Sequence, residues 1–192
     1  MSSILVFPDN TVLINFAYIN RMDLLKELVR DRASWCATVA QECAESARYE
    51  GLGALSDAAA IFGSPLRPDG AELIDTKLNR TSLAAPGDDA HKHLGEAETI
   101  AIVTRRQINA IFATDDKRAS ALAASQGIQC VTTWDLLRLA YKRRLVDAST
   151  LWGYLTTLQS NSRGAPAGVT DRQSFESWLP ALAPDPPAAA DD

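Results

Sequence analysis

Asp9, Glu42, Glu96, Glu98, Asp115 and Asp116 stand where the local patterns of this chain place side chains that can do chemistry. Asp9 closes the apolar run Ile4-Leu5-Val6-Phe7, which reads as a buried strand ended by Pro8. Asp115 and Asp116 directly follow a second strand-like run at 109–113. Glu42 falls on the first turn of a helical pattern over 39–49, behind a candidate strand at 34–38. Glu96 and Glu98 open a stronger helix that starts at 94 or 95 and runs to about 106, behind Gly95. An acid at a helix start is ordinarily explained by the helix dipole and by capping of free N–H groups. That explanation suffices for each residue taken singly, and not for four positions on one edge.

Crowded carboxylates repel one another, and their pKa values rise unless a cation neutralises them. Hard oxygen ligands without a cysteine or histidine suit Mg²⁺ or Mn²⁺. A cation held in this way polarises a phosphate and activates a water. Thr114, just ahead of Asp115, offers a hydroxyl to substrate or to the metal's water, although a threonine at a strand end is more often inert.

The elements that must position these acids follow from periodicity. After the first strand comes a helix with Val12, Leu13, Phe16 and Ala17 at helical spacing, then a second helix over 23–30. The stretch 51–90 is the least legible, with helical patterns at 55–62 and 71–78 divided by Gly63, Pro65, Pro68 and Gly70. Beyond the second acidic strand lie a helix at 117–125, a strand at 128–131, and helices at 134–143 and about 149–158. Strands alternating with helices predict an α/β fold, a three-layer α/β/α arrangement around a mostly parallel sheet of four to five strands. In such sheets the carboxyl ends of the strands form the binding edge, so the acids should share it.

From 160 onward the composition turns to Ala, Pro, Gly and Asp, which predicts one domain over 1–159 and a flexible tail over 160–192. Phe175, Trp178 and Leu179 are a small apolar island in that tail, either a weakly docked helix or a partner-binding element.

Hydrophobic residues are 46% of the 192, so a packed core is expected. No stretch has the length and apolarity of a membrane span, and the first residues lack the make-up of a secretory leader. Three scattered cysteines, Cys36, Cys43 and Cys130, read as reduced thiols and predict a cytoplasmic protein with no zinc site. His91 and His93, two residues apart, read as solvated loop residues, and a Ser/His/Asp triad is not expected. The net charge of −5 argues against coating nucleic acid by bulk electrostatics. Yet 101–146 carries eight basic residues against three acidic ones, a basic rim suited to a phosphodiester.

At this point the residues resemble the PIN-domain nucleases, among them the toxin ribonucleases of bacterial toxin–antitoxin pairs. Asp9-Asn10-Thr11-Val12-Leu13-Ile14-Asn15-Phe16 is similar to the family's opening Asp-Thr-Asn/Ser-x-Leu-Ile motif, with Asn10 where a threonine is usual. Glu42 sits at the place of the second acid. Leu94-Gly95-Glu96-Ala97-Glu98-Thr99-Ile100-Ala101 resembles a Gly-Glu-x-Glu-x-Ile third motif. Ala113-Thr114-Asp115-Asp116 resembles the Thr-x-Asp fourth motif, and 133–146 the closing helix.

The resemblance spans Ile4 to about Val146 and implies catalytic roles for Asp9, Glu42, Glu96 and Asp116. Asp9, Glu96 and Asp116 are the implied ligands of Mg²⁺ or Mn²⁺. Thr114, Asp115, Glu98 and Asn10 are candidate accessory residues, with Glu98 and Asp115 competing with Glu96 and Asp116 as ligands. Arg105, Lys117 and Arg118 are candidates for substrate binding. The implied function is a metal-dependent endoribonuclease with an RNA substrate and an antitoxin protein or a second copy of the chain as partner. The competing readings are a non-catalytic module of the same fold that binds nucleic acid or protein, and an aspartate-based phosphotransferase. The latter is weakened by the lack of a second Asp two residues after Asp9.

Overall fold

A computed structural model describes residues 4–181. Strand β1 (Leu5–Pro8) leads into helix α1 (Asn10–Tyr18), followed by α2 (Met22–Val29) and α3 (Ala37–Ser46). The middle region holds a short α4 (Ala58–Phe62) and a long α5 (Gly70–Leu83). Then come α6 (Leu94–Arg105), β2 (Ala110–Ala113), α7 (Lys117–Ser125), β3 (Gln129–Val131), α8 (Thr133–Lys142), α9 (Ala148–Ser160) and α10 (Arg172–Trp178).

The three strands form one parallel sheet in the order β1-β2-β3, with Phe7 opposite Phe112 and Phe112 opposite Cys130. Successive strand side chains point to opposite faces, and this divides the core. Phe7 and Phe112 pack with Ile100, Val103, Ala119 and Ala123 under α6 and α7. Val6, Ala113 and Val131 turn to the other face and meet α1, α2, α8 and α9. The protein is thus α/β with helices on both faces of the sheet.

Four to five strands are expected from the pattern, and three are found among the described residues. The candidate strand at 34–38 survives as single bridges, Val6 with Ala33 and Cys36 with Leu66. Ser34 N donates to Val6 O at 3.0 Å, but α3 begins at Ala37 and leaves no room for a longer ladder. Helix α5 is longer than the predicted 71–78: a capping box of Asp69 and Glu72 starts it at Gly70, and its last turn is held by burial of Asn79 and Leu83.

The tail expected from 160 onward is corrected for the residues described. Phe175 is fully buried, its ring centroid 5.1 Å from that of Trp152 on α9. Asp171 and Ser174 cap α10 reciprocally. Arg163 Nε donates to Asn15 Oδ1 at 2.6 Å, so this segment reaches back to α1. Composition alone does not reveal this, because a few scattered residues, Val169, Phe175 and Trp178, make the docking within a segment otherwise poor in apolar side chains. Residues 182–192, the rest of that expected tail, lie outside the described residues.

Candidate metal centre

Asp9 leaves β1 as the N-cap of α1 and is buried to 3% exposure. Its backbone N donates to Ala113 O at 2.8 Å, which holds it level with the carboxyl end of β2. Thr11 Oγ1 donates to Asp9 Oδ2 and steadies the carboxylate. Burial pushes the Asp9 carboxyl up to about 7, the nearby Glu96 adds to the rise, and the hydrogen bonds from Thr11 and Asn10 only partly oppose it.

Glu42 reaches the same place from α3. Burial, then Asp9, then Glu96 raise its carboxyl to about 8, while a hydrogen bond from the Gly95 backbone works the other way. Burial and Glu96 raise both carboxyls, and Asp9 raises Glu42 as well, so ionising them together calls for a neutralising cation. Among the described residues no lysine or arginine forms an ion pair with Asp9, Glu42, Glu96 or Asp116.

Glu96 is in the first turn of α6, and its Oε1 lies 3.2 Å from His93 Nδ1. Asp116 is the N-cap of α7: its Oδ1 accepts from the backbone N of Arg118 and Ala119 at 2.7 and 2.9 Å. The other oxygen, Oδ2, is left to face His93 Nδ1 at 3.8 Å. One ligand atom each from His93, Glu96 and Asp116 lie within 4.8 Å of one another. His93 is therefore no solvated loop residue. Its side chain is only 7% exposed, and nothing in the residue spacing signals this, because a left-handed backbone (φ 64°) turns it inward.

The two competing acids take other roles. Glu98 points away along α6 and accepts from Thr38 N at 3.0 Å and Thr38 Oγ1 at 2.7 Å, securing the start of α3. Asp115 accepts from Thr133 N, Thr133 Oγ1 and Asn15 Nδ2 at 2.8, 2.6 and 2.8 Å, tying α8 to α1. Thr114 is buried, and its Oγ1 accepts from Asp116 N at 3.1 Å, which shapes the turn behind the acid. Asn10 turns toward α3, where its Nδ2 donates to Ser46 Oγ at 3.1 Å.

Of the candidate substrate-binding residues, Lys117 and Arg118 open α7 beside Asp116, and Arg118 also donates to Ala84 O at 3.1 Å. Arg105 stands apart from them. It ends α6, at the other end of that helix from Glu96, and pairs with Asp75 at 2.6 Å. Asn15, missed by spacing, is a buried polar residue among Val12, Leu13, Phe16 and Ala17, and that break in an apolar face is the signal that could have found it.

The family model of the PIN domain matches residues 5–165. The chain belongs to the PIN domain family. PIN domains are generally nucleases, act on nucleic acid and typically use divalent metals. None of the curated proteins compared with this chain matches it. The matched stretch includes all the acids of the centre and Arg163, and it ends before α10. The donor set fits such a cation, since it offers hard carboxylate oxygens whose mutual repulsion only positive charge relieves. The three cysteines are free thiols, and no helix among the described residues is long and apolar enough to cross a membrane.

Proposed function

We propose that this protein is a metal-dependent endoribonuclease that hydrolyses RNA phosphodiester bonds at the Asp9, Glu42, Glu96 and Asp116 centre. The observation that carries the reading is the pair of carboxyls, buried Asp9 and partly buried Glu42, raised to about 7 and about 8 beside Glu96 and without a lysine or arginine partner among the described residues. Asp9, Glu96 and Asp116 would hold Mg²⁺ or Mn²⁺. When bound, that cation supplies Lewis-acid charge for a phosphodiester oxygen.

The remaining work falls to the chain's own residues. Glu42, titrating near neutrality, is suited to take a proton at its carboxylate from the attacking water. Thr11 and the α1 N-terminus keep Asp9 oriented, and Asp116 is fixed through its cap bonds. Lys117 and Arg118 follow Asp116 in the first turn of α7, where their charges would meet substrate phosphates. In this reading the protein is cytoplasmic, with a toxin's role and an antitoxin protein as its partner.

The test is cleavage of a mixed RNA pool by the full chain with Mn²⁺, with Mg²⁺ and with chelator. Metal-dependent internal cleavage, lost in Asp116→Asn, is expected. Salt-sensitive RNA binding without cleavage under any of these conditions would assign the chain to a non-catalytic binding module instead.

A further inference from the structure

His93 brings a nitrogen donor in among the acids of the centre, and its burial asks for a physical reason. Capping does not provide one: His93 stands at the N-cap of α6, yet its side chain makes no capping hydrogen bond. Its backbone takes the left-handed conformation, which costs a residue with a side chain, and the result is an imidazole aimed inward.

The ring is gripped from two sides. Nδ1 faces Glu96 Oε1 at 3.2 Å and Asp116 Oδ2 at 3.8 Å, and Nε2 faces Asp88 Oδ2 at 3.7 Å. Asp88 is itself fixed, accepting from Ala85 N at 2.7 Å and from Lys92 Nζ at 2.6 Å. A metal-ligating histidine keeps its proton on the far nitrogen, which leaves the other lone pair free for the ion. Asp88, 3.7 Å from Nε2 and so beyond hydrogen-bond length here, is the acceptor that would draw close to hold it there. With Nδ1 protonated the 3.2 Å contact is a hydrogen bond to Glu96. With Nδ1 bare, His93, Glu96 and Asp116 each turn one donor atom to a common point, all within 4.8 Å of one another, which is the spacing of ligands around one cation.

We propose that His93 is a nitrogen ligand of the divalent cation held by Glu96 and Asp116, positioned by Asp88, and that it biases the centre toward Mn²⁺ and Co²⁺ over Mg²⁺. The inference rests on the metal-dependent reading above and adds the ion's preference to it. Imidazole is a softer donor than a carboxylate, and Mg²⁺ gains least from it.

The experiment uses the full, metal-depleted chain. Mn²⁺ is added for pulsed electron paramagnetic resonance, which reads ¹⁴N coupling to the ion. Mn²⁺ and Mg²⁺ affinities are then measured by calorimetry on wild type and His93→Asn, chosen because asparagine tolerates the left-handed backbone. Expected are a directly coupled imidazole nitrogen in wild type and, in the variant, a loss of about tenfold or more in Mn²⁺ affinity with Mg²⁺ affinity little changed. Bound Mn²⁺ without nitrogen coupling would overturn the ligand role even if RNA cleavage stays Mn²⁺-dependent, which leaves the nuclease reading standing. Equal losses for the two ions in a folded variant would overturn the bias. Failure of wild type to bind either ion would overturn both readings.

Discussion

The carboxylate of Glu42 occupies the space that a side chain at Gly95 would need. A Cβ at Gly95 would lie 2.9 Å from Glu42 Oε2 and 2.9 Å from Val39 Cγ2. The Glu42 carboxylate could swing away, but Val39 is fully buried and α3 packs directly on α6. Gly95→Ala should therefore push α3 outward and displace Glu42 from Asp9. Overpacking of this kind costs roughly 1–3 kcal/mol, offset by the better helix propensity of alanine. Urea denaturation should show a net loss near 1 kcal/mol by that reckoning, together with weakened cleavage. A variant as active and as stable as wild type would mean that the two helices slide apart freely.

Asp115 and Asp116 are neighbours whose substitutions should have opposite signatures. Asp115→Ala removes three hydrogen bonds that join α1, β2 and α8, and leaves the buried Asn15 short of a partner. A stability loss of about 2–3 kcal/mol is expected in chemical denaturation. Asp116→Asn keeps an Oδ1 acceptor for the α7 cap while removing charge that faces His93 and Glu96. Its metal-free fold should melt no lower than wild type, and its cleavage should fall on the order of a hundredfold. Melting curves and single-turnover rates on both variants check the split. If Asp116→Asn lost stability and Asp115→Ala only activity, the two assignments would have to be exchanged.

Much of this division was legible before any coordinates. Alternating strands and helices placed Asp9 and Asp116 at strand ends, and β1, β2, α6 and α7 lie within a residue or two of their periodic patterns. Glu96 and Glu98 face different sides of α6, as residues two apart must, Glu96 toward His93 and Glu98 toward Thr38. Three features lay outside the reach of spacing. His93 depends on one left-handed residue, whose conformation carries no periodic signature. Arg105 belongs to the basic segment by sequence count, yet the direction of α6 carries it to the end remote from Glu96. The 34–38 run has strand composition, and the early start of α3 reduces it to bridges.

The raised carboxyls set a pH dependence. Asp9 and Glu42 bind protons more tightly folded, at about 7 and about 8, than at their ordinary values of 3.8 and 4.5. The folded state therefore holds more protons than the unfolded chain between those limits, so stability falls as pH rises. Carboxyls with lowered values, such as Asp23 and Glu72, work in the opposite sense, but only below their ordinary range. Metal-depleted protein should lose several degrees of melting temperature between pH 5.5 and 8.5, conditions to be scanned by calorimetry. Saturating Mn²⁺ should flatten the fall, because a cation stabilises the ionised carboxylates. A flat metal-free profile would mean that the two acids are not mutually strained.

The last prediction concerns the segment that composition assigns to a tail. Phe175 is fully buried against Trp152, Trp178 lies tilted beside it with ring centroids 6.1 Å apart, and Val169 is buried in the same core cluster. Arg163 ties the chain leading there to Asn15 and, at 3.3 Å, to Thr11 O on α1. Phe175→Ala removes a ring from a closed site and should cost about 3–5 kcal/mol. For a chain of this size that corresponds to a fall of roughly 10 °C in melting temperature. Truncation after Gln159 should cost at least as much and should also lower cleavage, because Arg163 supports the helix that begins at Asp9. Phe175→Leu, which keeps most of the volume, should recover the larger part of the stability. Thermal melts of the three variants separate packing from mere chain length. An unchanged midpoint in the truncated chain would return residues 160–181 to the status of a dispensable appendage.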